Sequence, residues 1–225
     1  MLRSSALAGL ASVFALFAPA AQSRTEGVPL PAPARASPTS TGLQTAVFSG
    51  GCFWGVQGVF SHVRGVHRAI SGYAGGAAAT AHYEEVSSGR TGHAESVEVW
   101  FDPKEVSYGQ LLQIFFSVAL DPTEINRQGP DDGTQYRSAV WATNPEQARE
   151  AEAYIHQLDA AHAFPRPIAT RVERLPAFYA AETYHQDFFR LHPDYPYIRV
   201  WDVKKVEALK ALYPGIYAAS PARGV

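Results

Sequence analysis

The stretch Ser49-Gly50-Gly51-Cys52-Phe53-Trp54-Gly55 holds the only cysteine of the chain, and a helical pattern of Phe53, Val56, Val59, Phe60 and Val63 starts just after it. A cysteine at a helix start feels the positive end of the helix dipole, which lowers its pKa and raises its thiolate fraction. Gly50 and Gly51 offer no capping side chain, so a thiolate at position 52 is expected to accept from the first-turn N–H groups. The opposing reading is an inert buried thiol acting as a small hydrophobe, with Ser49 as the helix cap.

A possible partner lies in Thr91-Gly92-His93-Ala94-Glu95-Ser96-Val97-Glu98-Val99-Trp100-Phe101. Strand alternation puts Glu95 on the same face as Val97, Val99 and Phe101. A carboxyl on an apolar face is desolvated, favours its protonated form and can donate a proton near neutral pH. The alternative is a buried ion pair with Arg90 or Arg137. Tyr83, Asp131 and Tyr136 come from irregular segments, where functional groups concentrate. The eight histidines show no H-E-x-x-H pair and no three-ligand spacing, and one cysteine excludes a thiolate zinc site. Glycines 50, 51 and 55 flank bulky aromatics, which does not make a pyrophosphate cradle. No metal and no cofactor are expected.

The elements that must position these groups can be read from periodicity. A strand over 45–48 precedes the glycine pair and a helix follows it. Strands are expected over 66–73, 94–101, 138–142 and 168–174. A capping box at Ser107 and Gln110 opens a helix over 111–118, and Asn144-Pro145 with Gln147 opens another. A last helix is expected over 181–191, while 77–92 and 121–133 read as loops. The order is β-α-β-β-α-β with an added helix and strand, an α+β two-layer plait of the ferredoxin-like, split βαβ kind.

The chain has 225 residues, of which 46% are hydrophobic, enough for one substantial core. A net charge of −2 with no basic stripe argues against nucleic acid. Arg3 followed by the apolar run 6–18 and Ala18-Pro19-Ala20-Ala21 reads as a signal peptide over 1–23, too short to span a bilayer. The Pro- and Ala-rich stretch 24–44 reads as a linker outside the fold. The catalytic domain is expected over 45–217, with 218–225 as a tail. An exported, periplasmic monomer without stable membrane association follows. The mature chain has one thiol, so no internal disulfide can close, and it has no methionine, since Met1 is the only one in the sequence.

GCFWG at 51–55, GYAGG at 72–76, HYEEVSSGRTGHAE at 82–95, DGTQYRSAV at 132–140 and AETYHQDFF at 181–189 together resemble the A-type peptide methionine sulfoxide reductases. The resemblance runs from about residue 47 to 217, and YIRVWDVKKVEALKALYPGIY at 197–217 resembles the C-terminal part of some members. It implies that Cys52 attacks the sulfur of a methionine S-sulfoxide and becomes a sulfenic acid, and that Glu95 protonates the departing oxygen. It further implies that Tyr83 and Tyr136 hydrogen-bond that oxygen, that Phe53 and Trp54 hold the S-methyl group, and that Asp131 lies near the site. Many relatives resolve the sulfenic acid with a cysteine near the C-terminus. This chain has none there and carries Ser87 where some have another.

An external reductant is therefore implied: a thioredoxin-like or glutaredoxin-like protein, or a small thiol. The substrates implied are oxidised methionine-containing proteins and peptides. The rivals are a single-cysteine thiol peroxidase and an exported binding domain with an inert cysteine. Labelling of Cys52 faster than a free thiol would mark the enzyme.

Overall fold

In a computed structural model the described residues are 27–35 and 41–224. The signal peptide expected over 1–23 lies outside them. Ten regular elements organise the chain: β1 Gln44–Gly50, α1 Phe53–Ser61, β2 Val66–Ala74, β3 Ala94–Phe101, α2 Tyr108–Ile114, β4 Ser138–Ala142, α3 Pro145–Ala160, β5 Arg171–Arg174, β6 Phe178–Ala180 and α4 Val203–Leu212. The strands form one mixed sheet ordered β5-β4-β1-β3-β2-β6. Only β4 and β5 run parallel.

Central β1 is the apolar run that its residues suggest, and Phe48 stacks between Phe60 of α1 and Phe115, each 4.9 Å away. Helix α1 is buried along almost its whole length, sandwiched between the sheet and the C-terminal segment. Gly58 makes this close approach possible, since a Cβ there would sit 2.9 Å from the ring of Phe189. The two caps read from sequence are present. Gln110 N–H donates to Ser107 Oγ at 3.1 Å, with the reciprocal bond at 2.9 Å, and Gln147 N–H donates to Asn144 Oδ1 at 3.0 Å. Beyond Ile114 the second helix widens into a π turn over Phe115–Ala119.

Several expectations fail for non-local reasons. The helix expected over 181–191 breaks into a turn at Thr183–His185 and a single turn at Phe188–Leu191, with Asp187 between them at φ 55°. The cause is Gln186, whose amide reads the Ser71 backbone like a neighbouring strand: Ser71 N–H donates to its Oε1 at 3.0 Å and its Nε2 donates to Ser71 O at 2.8 Å. Gln57 Oε1 then takes the Asp187 N–H at 2.9 Å. The fifth strand starts at Arg171 rather than 168, because Ala169 N–H turns to Pro122 O at 2.7 Å. Strand β6 and helix α4 were not read from the sequence. Within 77–92 the chain forms a short helix Tyr83–Val86, and within 121–133 a ribbon pairs Arg127–Gln128 with Asp131–Asp132. Among the described residues no helix is long and apolar enough to cross a membrane.

Residues 27–35, read as linker, pack as a strap along the helices. Val28 N–H donates to Ser117 O at 2.9 Å, Gln113 Nε2 to Leu30 O at 2.7 Å, and Tyr154 OH to Pro31 O at 2.7 Å. Gln157 brackets the next turn, donating to Ala32 O and accepting from Ala34 N–H. Leu30 is 8% exposed and joins the core. At the other end, Ala218 N–H donates to His62 O and Ala222 N–H to Ser61 O, so the tail packs on the end of α1. Over the described residues 27–35 the chain forms no helix or strand but packs on the fold, which the composition did not disclose. Leu30→Ala is expected to lower the unfolding free energy by about 1–3 kcal/mol, in the lower half of the usual Leu→Ala range because a strap relaxes into the gap. Urea denaturation checks this, and a change within about 0.5 kcal/mol would mean the strap is a passive linker.

Candidate active site

The turn into α1 places the cysteine. Gly51 holds φ 86°, and a Cβ there would lie 2.8 Å from Gln128 Cγ, so the residue before Cys52 is restricted to glycine. Gln128 is itself locked to Asp121, donating to its carbonyl at 2.7 Å and accepting its N–H at 2.9 Å. Cys52 then occupies the N-cap position of α1 and is 8% exposed. Ser49 is not a cap: its hydroxyl lies 2.7 Å from that of Ser96 and accepts from Trp141 Nε1 at 2.8 Å.

Glu95 reaches this turn from β3. Its Oε2 accepts the Phe53 N–H at 2.9 Å, so the acid, not the thiolate, takes the first N–H of the helix. Glu95 is 4% exposed on the face shared with Val97, Val99 and Phe101, as alternation required. Burial pushes its pKa up to about 8 against the opposing pull of the Phe53 N–H, with Asp131 and Asp202 adding to the rise. The carboxyl is therefore protonated at neutral pH. No arginine pairs with it among the described residues. Arg137 instead donates to the carbonyls of Gly92, His93 and Thr134.

The thiol behaves opposite to the sequence expectation. Burial first, then Glu95, Asp202 and Asp131, push Cys52 well above the ordinary thiol range, and the Trp54 N–H offsets only part of this. The helix-start argument was correct about position. It failed on sign because the packed segments around the turn bury the thiol and, second to that, bring carboxylates to it.

Tyr83 and Tyr136 both join this cluster half-buried. Burial raises each hydroxyl's pKa, and Glu95 and Cys52 are among the charges each one feels. Tyr83 is set by its N–H donating to Glu182 Oε1 at 2.9 Å and by ring contact with His185 at 4.5 Å. Asp131 accepts a hydrogen bond from the Tyr197 hydroxyl, and burial lifts its pKa although Tyr197 and Lys205 oppose the rise.

The two aromatics part ways. Phe53 is 1% exposed and packs on His185 at 5.0 Å and Tyr73 at 5.8 Å. Trp54 keeps a partly open face: it stacks on Phe188 at 3.9 Å, stands edge-on to Tyr195 and Tyr197, and donates from Nε1 to His185 Nδ1 at 3.2 Å.

Sequence reasoning missed Tyr197, Asp202, Lys205 and His185. The first three lie in the YIRVWDVKK stretch, whose resemblance to relatives was visible but carried no role. A cavity of about 40 Å³ opens beside Cys52 and is lined by Tyr197, Trp201 and Lys205, by Gln128 and Pro130, and by Val28 of the strap. Of the residues singled out from the sequence, only Cys52 lines it. Far from this site, at the other end of β3, His67, Asp102 and Glu105 bring possible ligand atoms within 4.8 Å of one another, a grouping that spacing did not reveal. All three are exposed or half-exposed, and Asp102 Oδ1 already accepts the Lys104 N–H.

With its pKa raised and its surface covered, Cys52 of the free protein is expected to react with iodoacetamide at pH 7 at least about tenfold more slowly than free cysteine. Slow labelling thus does not argue for a binding domain. Labelling as fast as a free thiol would mean that the resting site holds a thiolate.

The chain matches the family model of peptide methionine sulfoxide reductase over residues 44–213. It is 58% identical over 180 residues to peptide methionine sulfoxide reductase MsrA 2 of Mesorhizobium japonicum, covering 80% of this chain and 92% of that protein. It is 54% identical over 177 residues to the MsrA 2 of Synechocystis sp., covering 79% and 83%. Among solved structures it resembles methionine sulfoxide reductase A of Corynebacterium diphtheriae, with a TM-score of 0.59 at 32% identity, covering 76% and 89%. It also resembles the reduced form of Mxr1 from Saccharomyces cerevisiae, with a TM-score of 0.62 at 30% identity, covering 72% and 91%. With a family model matched over most of the chain and relatives at 58% and 54% identity, the chain belongs to the peptide methionine sulfoxide reductase family, A type.

Proposed function

We propose that this protein reduces the S epimer of methionine sulfoxide in oxidised proteins and peptides, with Cys52 as nucleophile and Glu95 as acid. The observation that carries the assignment is the buried Glu95 carboxyl on the Phe53 N–H at 2.9 Å, protonated below about pH 8, one residue from the only thiol. A sulfoxide oxygen is a poor leaving group until it is protonated. Glu95 supplies that proton as Cys52 attacks the sulfur, and the proton leaving the thiol restores the acid. The net step is Cys52–SH plus R–S(=O)–CH₃ giving Cys52–S–OH plus R–S–CH₃, with the cysteine sulfur oxidised by two electrons and the methionine sulfur reduced by two. Burial penalises the resting thiolate, so the thiol gives up its proton as it attacks rather than beforehand.

In this reading Tyr83 and Tyr136 donate to the sulfoxide oxygen, both hydroxyls remaining protonated at working pH. The open face of Trp54 meets the S-methyl group, and Phe53 backs it from the interior through His185. Asp131, fixed by Tyr197, borders the site. An external thiol, from a thioredoxin-like or glutaredoxin-like protein or a small molecule, reduces the sulfenic acid, since Cys52 is the only cysteine. We read residues 1–23 as a leader, and on that reading the enzyme works outside the cytoplasm, in the periplasm; we further read it as a monomer. We read the core β1-α1-β2-β3-α2-β4 as a ferredoxin-like plait, supported by its strand order β4-β1-β3-β2.

Cys52→Ser is expected to abolish turnover of a peptide methionine S-sulfoxide with dithiothreitol. Glu95→Gln should slow it by about 10²- to 10⁴-fold, and an unimpaired variant would remove the acid role. The wild-type rate of methionine formation in single turnover should fall as pH rises through about 8, because the donor is then ionised; a rate that climbs across that range would show that thiol ionisation governs instead. Faster turnover of hydrogen peroxide than of the sulfoxide peptide would favour the peroxidase.

A further inference from the structure

We propose that the cavity beside Cys52 is the port through which the reductant thiol reaches the sulfenic acid, on the side of the sulfur away from the sulfoxide. This rests on the sulfenic acid reading above. Attack by a thiolate on sulfur is a displacement in which the nucleophile, the sulfur and the departing oxygen lie close to one line. The oxygen left on Cys52 faces the groups that delivered it, Glu95 and the two tyrosines. The resolving thiolate must then come from the opposite direction. The cavity meets that requirement: Cys52 is in its wall, whereas Glu95, Tyr83 and Tyr136 are not. Its roughly 40 Å³ is about three times what one water needs, so it admits the terminal CH₂–SH of a thiol and little more.

The wall also carries a suitable charge. Lys205 is the only cation among the described lining residues. It is anchored by Asp202, whose Oδ1 lies 3.3 Å from its Nζ, and Asp202 is wholly buried with neither carboxylate oxygen hydrogen-bonded. Gly55 leaves the room for both: a Cβ there would lie 2.6 Å from Asp202 Cγ and 3.0 Å from Lys205 Nζ. The ammonium is thus fixed against the first turn of α1, near the sulfur. The other ionisable side chain lining the cavity apart from Cys52 and Tyr197, Asp121, turns its Oδ1 to the Thr123 N–H and hydroxyl at 2.9 and 2.7 Å. Lys205 is the positive charge an incoming thiolate meets on that wall, with its pairing to Asp202 offsetting part of the attraction. The step is Cys52–S–OH plus RS⁻ plus the Glu95 proton giving Cys52–S–S–R plus water. A second thiol then attacks R's sulfur, releasing RSSR and Cys52 as thiol, with its proton.

The thiolate can belong to a small molecule or to a protein cysteine, and the test separates them. The full mature chain is mixed with a peptide methionine S-sulfoxide without reductant, and the methionine burst is timed. Dithiothreitol or reduced thioredoxin is then added, and loss of sulfenic acid is followed by dimedone trapping and mass spectrometry. Val28→Trp fills the cavity from the strap, Lys205→Gln removes the cation, and Lys205→Arg keeps it. The ratio of the sulfenic acid reduction rate to the burst rate should fall about tenfold or more in Val28→Trp. It should also fall in Lys205→Gln and recover in Lys205→Arg. A fall with either reductant supports the port and names its source. A burst slowed as much as the reduction would make the cavity the sulfoxide's seat, and a ratio unmoved in every variant would mean that the cavity is not used; both overturn the proposal. A wild-type protein without any burst would instead refute the proposed function.

Discussion

The hydrogen bond from the Phe53 N–H to the Glu95 carboxyl holds the site together. It joins the first turn of α1 to β3, two elements that otherwise meet only through apolar packing, and fixes where the acid stands relative to the thiol. It also fills one of the unpaired N–H positions of a buried helix start, which would otherwise cost the molecule a desolvated donor. A carboxyl held by one N–H and buried between β3 and the α1 turn stays neutral at physiological pH, because one bond does not repay the burial of a full charge.

Two more carboxylates crowd the same turn and each is compensated: Asp131 by the Tyr197 hydroxyl with help from Lys205, and Asp202 by Lys205. Burial and the Lys205 pairing pull Asp202 in opposite directions, and its pKa settles up at about 6, so it is mostly ionised at pH 7. A thiol set among such neighbours is disfavoured as an anion. That restraint suits a protein working where oxidants are present, since a thiolate at rest is the form that oxidants consume. Reactivity becomes conditional on a substrate that brings its own electrophilic sulfur and an oxygen ready to take the proton.

What the sequence disclosed was the local part. Ser107 with Gln110 and Asn144 with Pro145 are caps whose partners lie three residues away, so their geometry is written in the spacing. Glu95 was legible for a similar reason, since alternation along one strand fixes which face a side chain takes. The helix over 181–191 was misread because Gln186 gives its amide to Ser71, on a strand far back in the chain, and no local pattern reports that bond. The direction of the thiol's pKa was misread for the same cause: the helix dipole is a local effect, whereas the burial of Cys52, and after it Glu95, Asp202 and Asp131, come from other segments. Residues 27–35 show the converse error, a composition that promises disorder and a backbone whose carbonyls are nevertheless taken by Gln113, Tyr154 and Gln157.

The C-terminal segment explains how one cysteine can suffice. Where Tyr197, Trp201 and Lys205 meet Cys52, the chain presents an aromatic wall and an anchored cation instead of a second sulfur. An internal resolving thiol needs a tail free to move toward Cys52. Here the same stretch is committed to structure, with Ile198 and Asp202 fully buried and α4 packed on α1. Gly55 is the residue that allows it, because any side chain at that position would collide with the Asp202 carboxylate and push the segment outward. With this side closed by packed residues, the external thiol proposed above meets a shaped approach to the sulfur in place of an attached reductant.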